Sequence, residues 1–353
     1  MERALELAGR GRGYVSPNPM VGCVLVAGGR IIGEGWHRNY GKHHAEVEAF
    51  LDASSKGFEH EIGGATAYVT LEPCSHFGKT PPCVDLLISG KIGRVVVANT
   101  DPNPLVSGRG ITRLRDSGIE VFEGMLADEG RALNRRFFKG MTTGHPYVIL
   151  KWAQSRDGYL SLPGEAVKIS GGLADLTVHR WRAEEDAILV GKNTVLVDNP
   201  RLNVRKWKGR NPVRVILDRN LAGANRDLHV MDHSQPTVFV NTLKELVVPG
   251  SLSRYDVVAE GGFAINYLKV PAGGEELPEM LEKLYRLGIG SVLVEGGALV
   301  LESFLQAGLW DEIRVISGTP VLGRGIRAPR PAGTLVCQEQ AGEDLLSYFS
   351  SPK

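Results

Sequence analysis

The 353-residue chain has no apolar run of about 18 residues, the length that a membrane-spanning helix needs. Its start, MERALELAGRGRGY, lacks the apolar stretch of a secretory signal. A cytoplasmic location without a membrane partner is therefore expected. Neither sign of charge is in excess: Lys+Arg 41 against Asp+Glu 40 leaves +1. No polyanion-binding field follows from that balance, so nucleic acid is not an expected partner. Cysteine is scarce, with four in the chain, which excludes a disulfide scaffold. In a reducing compartment, cysteines that cluster more often bind metal or act in catalysis. Internal repeats and low-complexity tracts are absent, and no Gly-x-Gly-x-x-Gly follows a strand-like run, so a Rossmann nucleotide site is unsupported.

What is present is an alternation of strand and helix patterns, the mark of a layered α/β protein. The runs at 20–27 and 30–37 form a hairpin about Gly28-Gly29, followed by a helix at 44–56 and a strand at 66–71. A helix at 83–91, with Pro82 suited to its first turn, a strand at 94–99, a helix at 111–118 and a strand at 119–124 complete the first half. The pattern restarts after Gly144, giving two domains, 1–144 and 145–353. In the second, strands are expected at 147–153, 187–191, 213–218, 237–241, 291–296 and 312–317, with helices near 172–184, 275–287 and 298–307.

Of the four cysteines, Cys23 lies in MVGCVLVAG and reads as a buried small hydrophobe, while Cys337 stands alone. The other two, Cys74 and Cys83, share the stretch TLEPCSHFGKTPPC, each directly after a proline. Their spacing fits neither a zinc knuckle nor a redox pair. His44, about thirty residues upstream in HAE, supplies a third ligand of the N/S type that a catalytic zinc takes, with the fourth position left for water. Water held there is acidic enough to react near neutral pH. Glu46, two positions beyond His44, is placed to move a proton from that water to a leaving amine, as in zinc nucleobase deaminases. His43 is the weaker ligand candidate because it lacks that Glu two positions on. The longer C-x8-C interval is acceptable if both cysteines start helical turns at Pro73 and Pro82. His37 and His76 are candidate substrate contacts or solvated loop histidines.

VSPNPMVGCVLV, HAEVEAF, YVTLEPCSHFGKTPPC, NTDPNPLVSGRG and LNRRFF together resemble the deaminase domain of the bifunctional riboflavin-biosynthesis deaminase/reductase family. LKWAQSRDG, WRAEEDAILVGKNTVLVDNPRLNVR, VLVEGG and LQAGLWDEIRV resemble its reductase domain. The resemblance implies a cytidine-deaminase-like α/β/α layered domain followed by a dihydrofolate-reductase-like α/β domain. It implies one Zn²⁺ in the first and NADPH in the second, and a phosphorylated pyrimidine as substrate; a homo-oligomer is expected besides. By the same resemblance, Asn18 belongs to a substrate loop and His76 and Lys79 to a phosphate-proximal one. Ala153, Thr194, Asp198 and the run from Gly297 match cofactor positions, and Arg182, Leu202, Arg205 and Glu295 match substrate positions.

Chemistry agrees at several of these. Lys79 and His76 suit a phosphate, as do the guanidinium forks of Arg182 and Arg205, whose alternative is a surface ion pair. Asp198 suits a hydroxyl near the nicotinamide or a turn. Gly296-Gly297 between a buried strand and a helix leaves room for a phosphate at free N–H groups, although such turns are also common structural features. Arg219, after its strand, suits a 2′-phosphate or solvent. One departure stands out: Ala166 and Lys168 occupy positions where the family commonly has Ser and Trp, and Lys168 is expected to touch a phosphate of the cofactor or substrate. Two other readings are a nucleic-acid base deaminase, disfavoured by the charge balance, and a structural zinc protein with a degenerate second half, disfavoured by Glu46.

Overall fold

The structure, a computed structural model, describes residues 1–75, 81–103, 107–162, 167–224, 226–252 and 262–352. It divides into two compact units, Met1–Gly144 and His145–Lys353.

In the first unit, strands β1 (Gly22–Ala27), β2 (Arg30–Trp36), β3 (Thr66–Leu71), β4 (Arg94–Asn99) and β5 (Glu120–Glu123) form one sheet in the order β2-β1-β3-β4-β5. The β1–β2 and β1–β3 pairs are antiparallel, whereas β3, β4 and β5 run parallel. Glycine at 28 and 29 takes positive φ in the β1–β2 turn, as the hairpin reading requires. Helices α1 (Glu2–Gly9), α2 (Ala45–Ser55), α3 (Cys83–Ser89), α4 (Arg109–Asp116), α5 (Ala127–Leu133) and α6 (Arg135–Thr143) accompany the sheet. Alternation along β1 sorts its side chains: Cys23 and Leu25 join Ala45, Ala49, Ala53, Val84 and Leu87 on one face, and Val24 joins Ala4 and Leu7 on the other. This is a three-layered α/β/α arrangement.

Helix α2 lies unusually close to β2, and its sequence says how. Ala45, Ala49 and Ala53 recur every four residues on one stripe, and Gly33 and Gly35 occupy alternate positions of β2 on one face. A Cβ on Gly35 would come within 2.3 Å of the Ala45 carbonyl oxygen and the Ala49 nitrogen, and one on Gly33 within 2.3 Å of the Ala49 carbonyl oxygen. Backbone meets backbone here, so no side chain can yield.

In the second unit, β6 (Tyr147–Gln154), β7 (Tyr159–Ser161), β8 (Ala187–Gly191), β9 (Val213–Leu217), β10 (Thr237–Asn241), β11 (Ile265–Lys269), β12 (Ser291–Gly296), β13 (Glu312–Ser317), β14 (Ile326–Arg327), β15 (Thr334–Ala341) and β16 (Asp344–Ser350) occur with α7 (Gly172–Glu184), α8 (Lys192–Asp198), α9 (Glu276–Arg286) and α10 (Ala298–Gln306). Nine strands build one sheet, β11-β10-β9-β8-β12-β6-β13-β16-β15, and β7 pairs with β14 apart from it. The sheet is parallel from β11 to β13 and ends in the antiparallel β16 and β15. Val148, Leu150 and Trp152 of β6 pack with Met280, Leu284 and Phe304 of α9 and α10, while Ile149 packs with Trp181 of α7 on the opposite face. Burial on both faces explains why the central strands read as continuous apolar runs.

Gly35→Ala should lower unfolding stability by about 1–3 kcal/mol through overpacking. Because α2 begins one residue after His44, the same variant should retain less metal in the purified protein. An unchanged denaturation midpoint and metal content would show that the α2–β2 approach is looser than described.

Candidate active sites

Three elements deliver the first constellation. His44 is the N-cap residue of α2, Cys83 is the first residue of α3 after its N-cap Pro82, and Cys74 lies in the loop three residues after β3. Cys74 thus does not start a helical turn, contrary to the expectation from Pro73. It is held instead by α3: the Cys83 N–H donates to its Sγ at 3.3 Å and the Val84 N–H to its carbonyl at 3.2 Å. Pro82 caps α3 from just outside it.

His44 Nδ1 stands 3.5 Å from Cys74 Sγ and 3.3 Å from Cys83 Sγ, and the three donor atoms all lie within 4.8 Å of one another. Tetrahedral zinc with Zn–N and Zn–S bonds of ordinary length would space N and S by about 3.6 Å. Spacing and donor chemistry therefore both fit zinc, with one position left over. Hydrogen bonds from Cys83 and from His44 hold the Cys74 thiol well below its usual pKa against the opposing effect of burial.

Glu46, in the first turn of α2, is 3% exposed, and burial together with the nearby Cys74 raises its pKa. Asn18 meets His37. Its Nδ2 lies 3.2 Å from His37 Nε2, while His37 Nδ1 lies 2.9 Å from the His43 carbonyl oxygen. The His37 ring is buried and stands edge-on to that of His44, with centroids 5.6 Å apart. Cys23 is fully buried, as expected. His76 and Lys79 lie outside the described residues.

In the second unit, Arg182 of α7 and Glu295 of β12 are found on each other. Nε and Nη2 of Arg182 meet the Glu295 carboxylate at 2.7 and 2.8 Å, and Nη1 donates to the Asn203 carbonyl at 3.2 Å. Lys151 Nζ adds a contact of 3.5 Å to Glu295. The Arg182 fork that looked apt for a phosphate is therefore already engaged. Burial alone would raise the Glu295 pKa, but Arg182 and Lys151 outweigh it and hold the carboxyl near 2.

Residues 201–205 have no regular structure, yet side chains hold their backbone at every residue. Arg214 donates to the Arg201 carbonyl, Gln235 to that of Leu202 and Arg182 to that of Asn203. Asn211 accepts from the Val204 N–H and His179 Nδ1 from that of Arg205. Leu202 is buried with φ of 53°, and Arg205 is exposed. His179, missed in the sequence, is a buried ring whose pKa falls to about 4 through burial and the neighbouring Arg182 and Arg205. Its only sequence signal was the i, i+3 spacing from Arg182.

Lys168 is exposed and 3.6 Å from Asp175, which Lys206 also meets at 2.8 Å. Its carboxylate partner was not foreseen, and Ala166 lies outside the described residues. Thr194 of α8 and Gly297, the N-cap of α10, come together: Thr194 Oγ1 is 3.2 Å from where a Gly297 Cβ would stand. Asp198 is the exposed last residue of α8, and Ala153 sits on β6 opposite Ile316 of β13. Arg219 pairs with Glu276 at 2.7 Å.

Glu295 carries a pH consequence. With its pKa held near 2 in the fold against an ordinary 4.5, its stabilisation is complete above about pH 4.5 and disappears as pH falls through 2. Glu295→Gln should flatten the acid limb of the melting temperature against pH. At neutral pH it should cost about 3–5 kcal/mol, because Arg182 is left buried and unpaired. An acid limb identical to that of the wild type would contradict the pair.

Residues 1–99 match the family described as the cytidine and deoxycytidylate deaminase zinc-binding region, and residues 146–341 match the RibD C-terminal domain. The riboflavin biosynthesis protein RibD of Aquifex aeolicus is 43% identical over 99% of this chain and 97% of its own length. That of Escherichia coli is 39% identical over 93% and 89%. A crystal structure from Thermotoga maritima, described as a diaminohydroxyphosphoribosylaminopyrimidine deaminase/5-amino-6-(5-phosphoribosylamino)uracil reductase, superimposes with a TM-score of 0.87. It is 37% identical, with 99% of this chain and 97% of that one covered. With a zinc-type donor triangle in one unit and a match to the RibD reductase domain in the other, this chain belongs to the bifunctional RibD family of riboflavin biosynthesis, a deaminase joined to a reductase.

Proposed function

We propose that the first unit removes the 2-amino group of 2,5-diamino-6-(5-phosphoribosylamino)pyrimidin-4-one, and that the second reduces the ribosyl side chain of the product to ribityl with NADPH. The observation that carries this reading is the His44–Cys74–Cys83 triangle with the buried Glu46 carboxyl in the first turn of the helix that His44 caps. When bound, zinc supplies a Lewis acid that brings the pKa of a water near neutrality. Glu46 would take a proton from the attacking water as the water oxygen adds to C2, and would return that proton to the departing 2-amino nitrogen. The C–N bond breaks and ammonia leaves. A buried carboxyl with a raised pKa is suited to holding the proton between the two transfers. Asn18, its amide nitrogen turned to His37, presents its oxygen to the pyrimidine. His76 and Lys79 take the phosphate.

In the second unit, NADPH supplies the hydride when bound, and the chain positions it. Ala153, Thr194, Asp198 and Gly297 line the cofactor side, with Lys168 toward a phosphate. Leu202 and Arg205 line the substrate side, and Arg182 and Glu295 hold the 201–205 segment beneath it. The exposed Arg205 is the phosphate ligand, because the Arg182 fork is spent on Glu295.

The substrate is a small molecule, and neither nucleic acid nor membrane is a partner, in keeping with the charge balance. Among the described residues no helix is long and apolar enough to cross a membrane. The chain works in the cytoplasm as a homo-oligomer. Strand β15, at the sheet edge with Leu335 and Val336 exposed, supports self-association, which light scattering would test.

Glu46→Gln should keep about one zinc per chain and lose deamination by at least ~10²-fold, measured as ammonia release from the diaminopyrimidine phosphate. Substantial remaining turnover would remove Glu46 from the mechanism. Arg205→Ala should raise the reductase KM about 10-fold or more while leaving kcat nearly unchanged, since a charge-assisted phosphate bond contributes about 1.5–3 kcal/mol. An unchanged KM would place the phosphate elsewhere.

A further inference from the structure

Glu72 stands between β3 and Cys74 in the LEPC stretch, and neither the zinc triangle nor the proton path uses it. It is 4% exposed, and it is neither close to solvent nor paired to a cation among the described contacts. Four backbone N–H groups converge on its carboxylate. Oε2 accepts from Asp101 at 3.1 Å and Gly108 at 2.9 Å, and Oε1 accepts from Gly110 at 2.8 Å and Ile111 at 3.4 Å. The last three amides belong to the start of α4, where a carboxylate also meets the positive end of the helix dipole.

The contact continues along the chain to the next residue. A Cβ on Gly110 would lie 2.3 Å from the Pro73 carbonyl oxygen, so the α4 backbone is pressed directly against the peptide that precedes Cys74. Cys74 is thereby held from two directions. Helix α3 binds its sulfur and its carbonyl through the Cys83 and Val84 amides. Helix α4 fixes the approach of the chain through Glu72 and Pro73, and an Arg113–Asp85 ion pair ties α4 to α3.

We propose that Glu72 is a positioning residue for the metal centre. It acts through Cys74, fixing the direction from which the thiolate meets the ion, and it holds the 101–103 turn to the same frame. The proposal rests on His44, Cys74 and Cys83 being the zinc ligands. Outer partners that orient metal ligands commonly change metal affinity 10–100-fold when removed. Glutamine in place of Glu72 keeps the size but turns an amide toward two N–H donors, so half of the cradle becomes repulsive.

The test uses the full zinc-loaded chain and follows zinc transfer to a chromogenic chelator, together with the visible absorption of the cobalt(II)-substituted protein. Glu72→Gln should release zinc at least ~10-fold faster and shift the cobalt bands. Glu72→Asp, which keeps the charge on a shorter arm, should fall between it and wild type. Ile62→Ala, a core truncation in the same unit, serves as the control for general destabilisation. Release and cobalt spectra like those of the wild type in Glu72→Gln would overturn the proposal, as would an equal acceleration in Ile62→Ala. If Glu72→Gln does not fold, Glu72→Asp against Ile62→Ala decides by the same two measurements. Cys74→Ser separates the underlying assignment: if it keeps its zinc, the ligand set is wrong, whereas zinc loss there with normal release in Glu72→Gln defeats the role of Glu72 alone.

Discussion

The close approach of α2 to β2 is the constraint on which the deaminase half depends. Two glycines on a strand face a stripe of alanines on a helix, and the backbones meet with no side chain between them. A helix seated that closely has little freedom to slide or rotate, and its first residues inherit the precision. His44 caps the helix and Glu46 lies in its first turn, so ligand and proton carrier share one rigid origin. Cys83 begins α3, which packs beside α2, and Cys74 is bound to the amides that begin α3. The donor triangle is thus assembled mainly by backbone geometry, which sets positions more tightly than side-chain packing can.

The reductase half is organised differently. Its central pair, Arg182 and Glu295, joins residues 113 positions apart, and the irregular 201–205 segment takes its shape from side chains reaching in from several elements. Buried ion pairs of this kind contribute little net stability compared with a good apolar fit, but losing one partner is costly. What such a pair does well is to fix register. Here it fixes where a segment without secondary structure lies relative to the sheet, leaving the Arg205 side chain at the surface.

The sequence was most legible where structure is local. Parallel strands such as Val95–Ala98 and Ile188–Val190 are buried on both faces and are written as unbroken apolar runs. The zinc triangle was equally legible, because His-x-Glu and two Pro-Cys pairs are short motifs with their own chemistry. The β15–β16 hairpin was not seen: nearly all of β15 is exposed, so no alternation of apolar and polar residues marks it. Helix α8, KNTVLVD, is rich in β-branched residues and gives a strand-like signal that its neighbours override. The Arg182 fork is visible in sequence, whereas the carboxylate it meets, Glu295, belongs to β12, 113 positions further on. For Lys168 the partner, Asp175, was close in sequence, but nothing in the sequence indicated that the pair would form.

The His37 contacts have a consequence for proton traffic. Its Nδ1 must carry hydrogen to reach the His43 carbonyl, which leaves the Nε2 lone pair to receive the Asn18 amide. The ring is therefore locked as one neutral tautomer, and burial further lowers its pKa. A second proton would cost it the Asn18 contact. Among the described residues, His44 is the candidate ligand, and His37, with its pKa lowered by burial, is held in the neutral form. In the proposed mechanism, proton uptake from water and delivery to nitrogen then share a single carrier and occur one after the other.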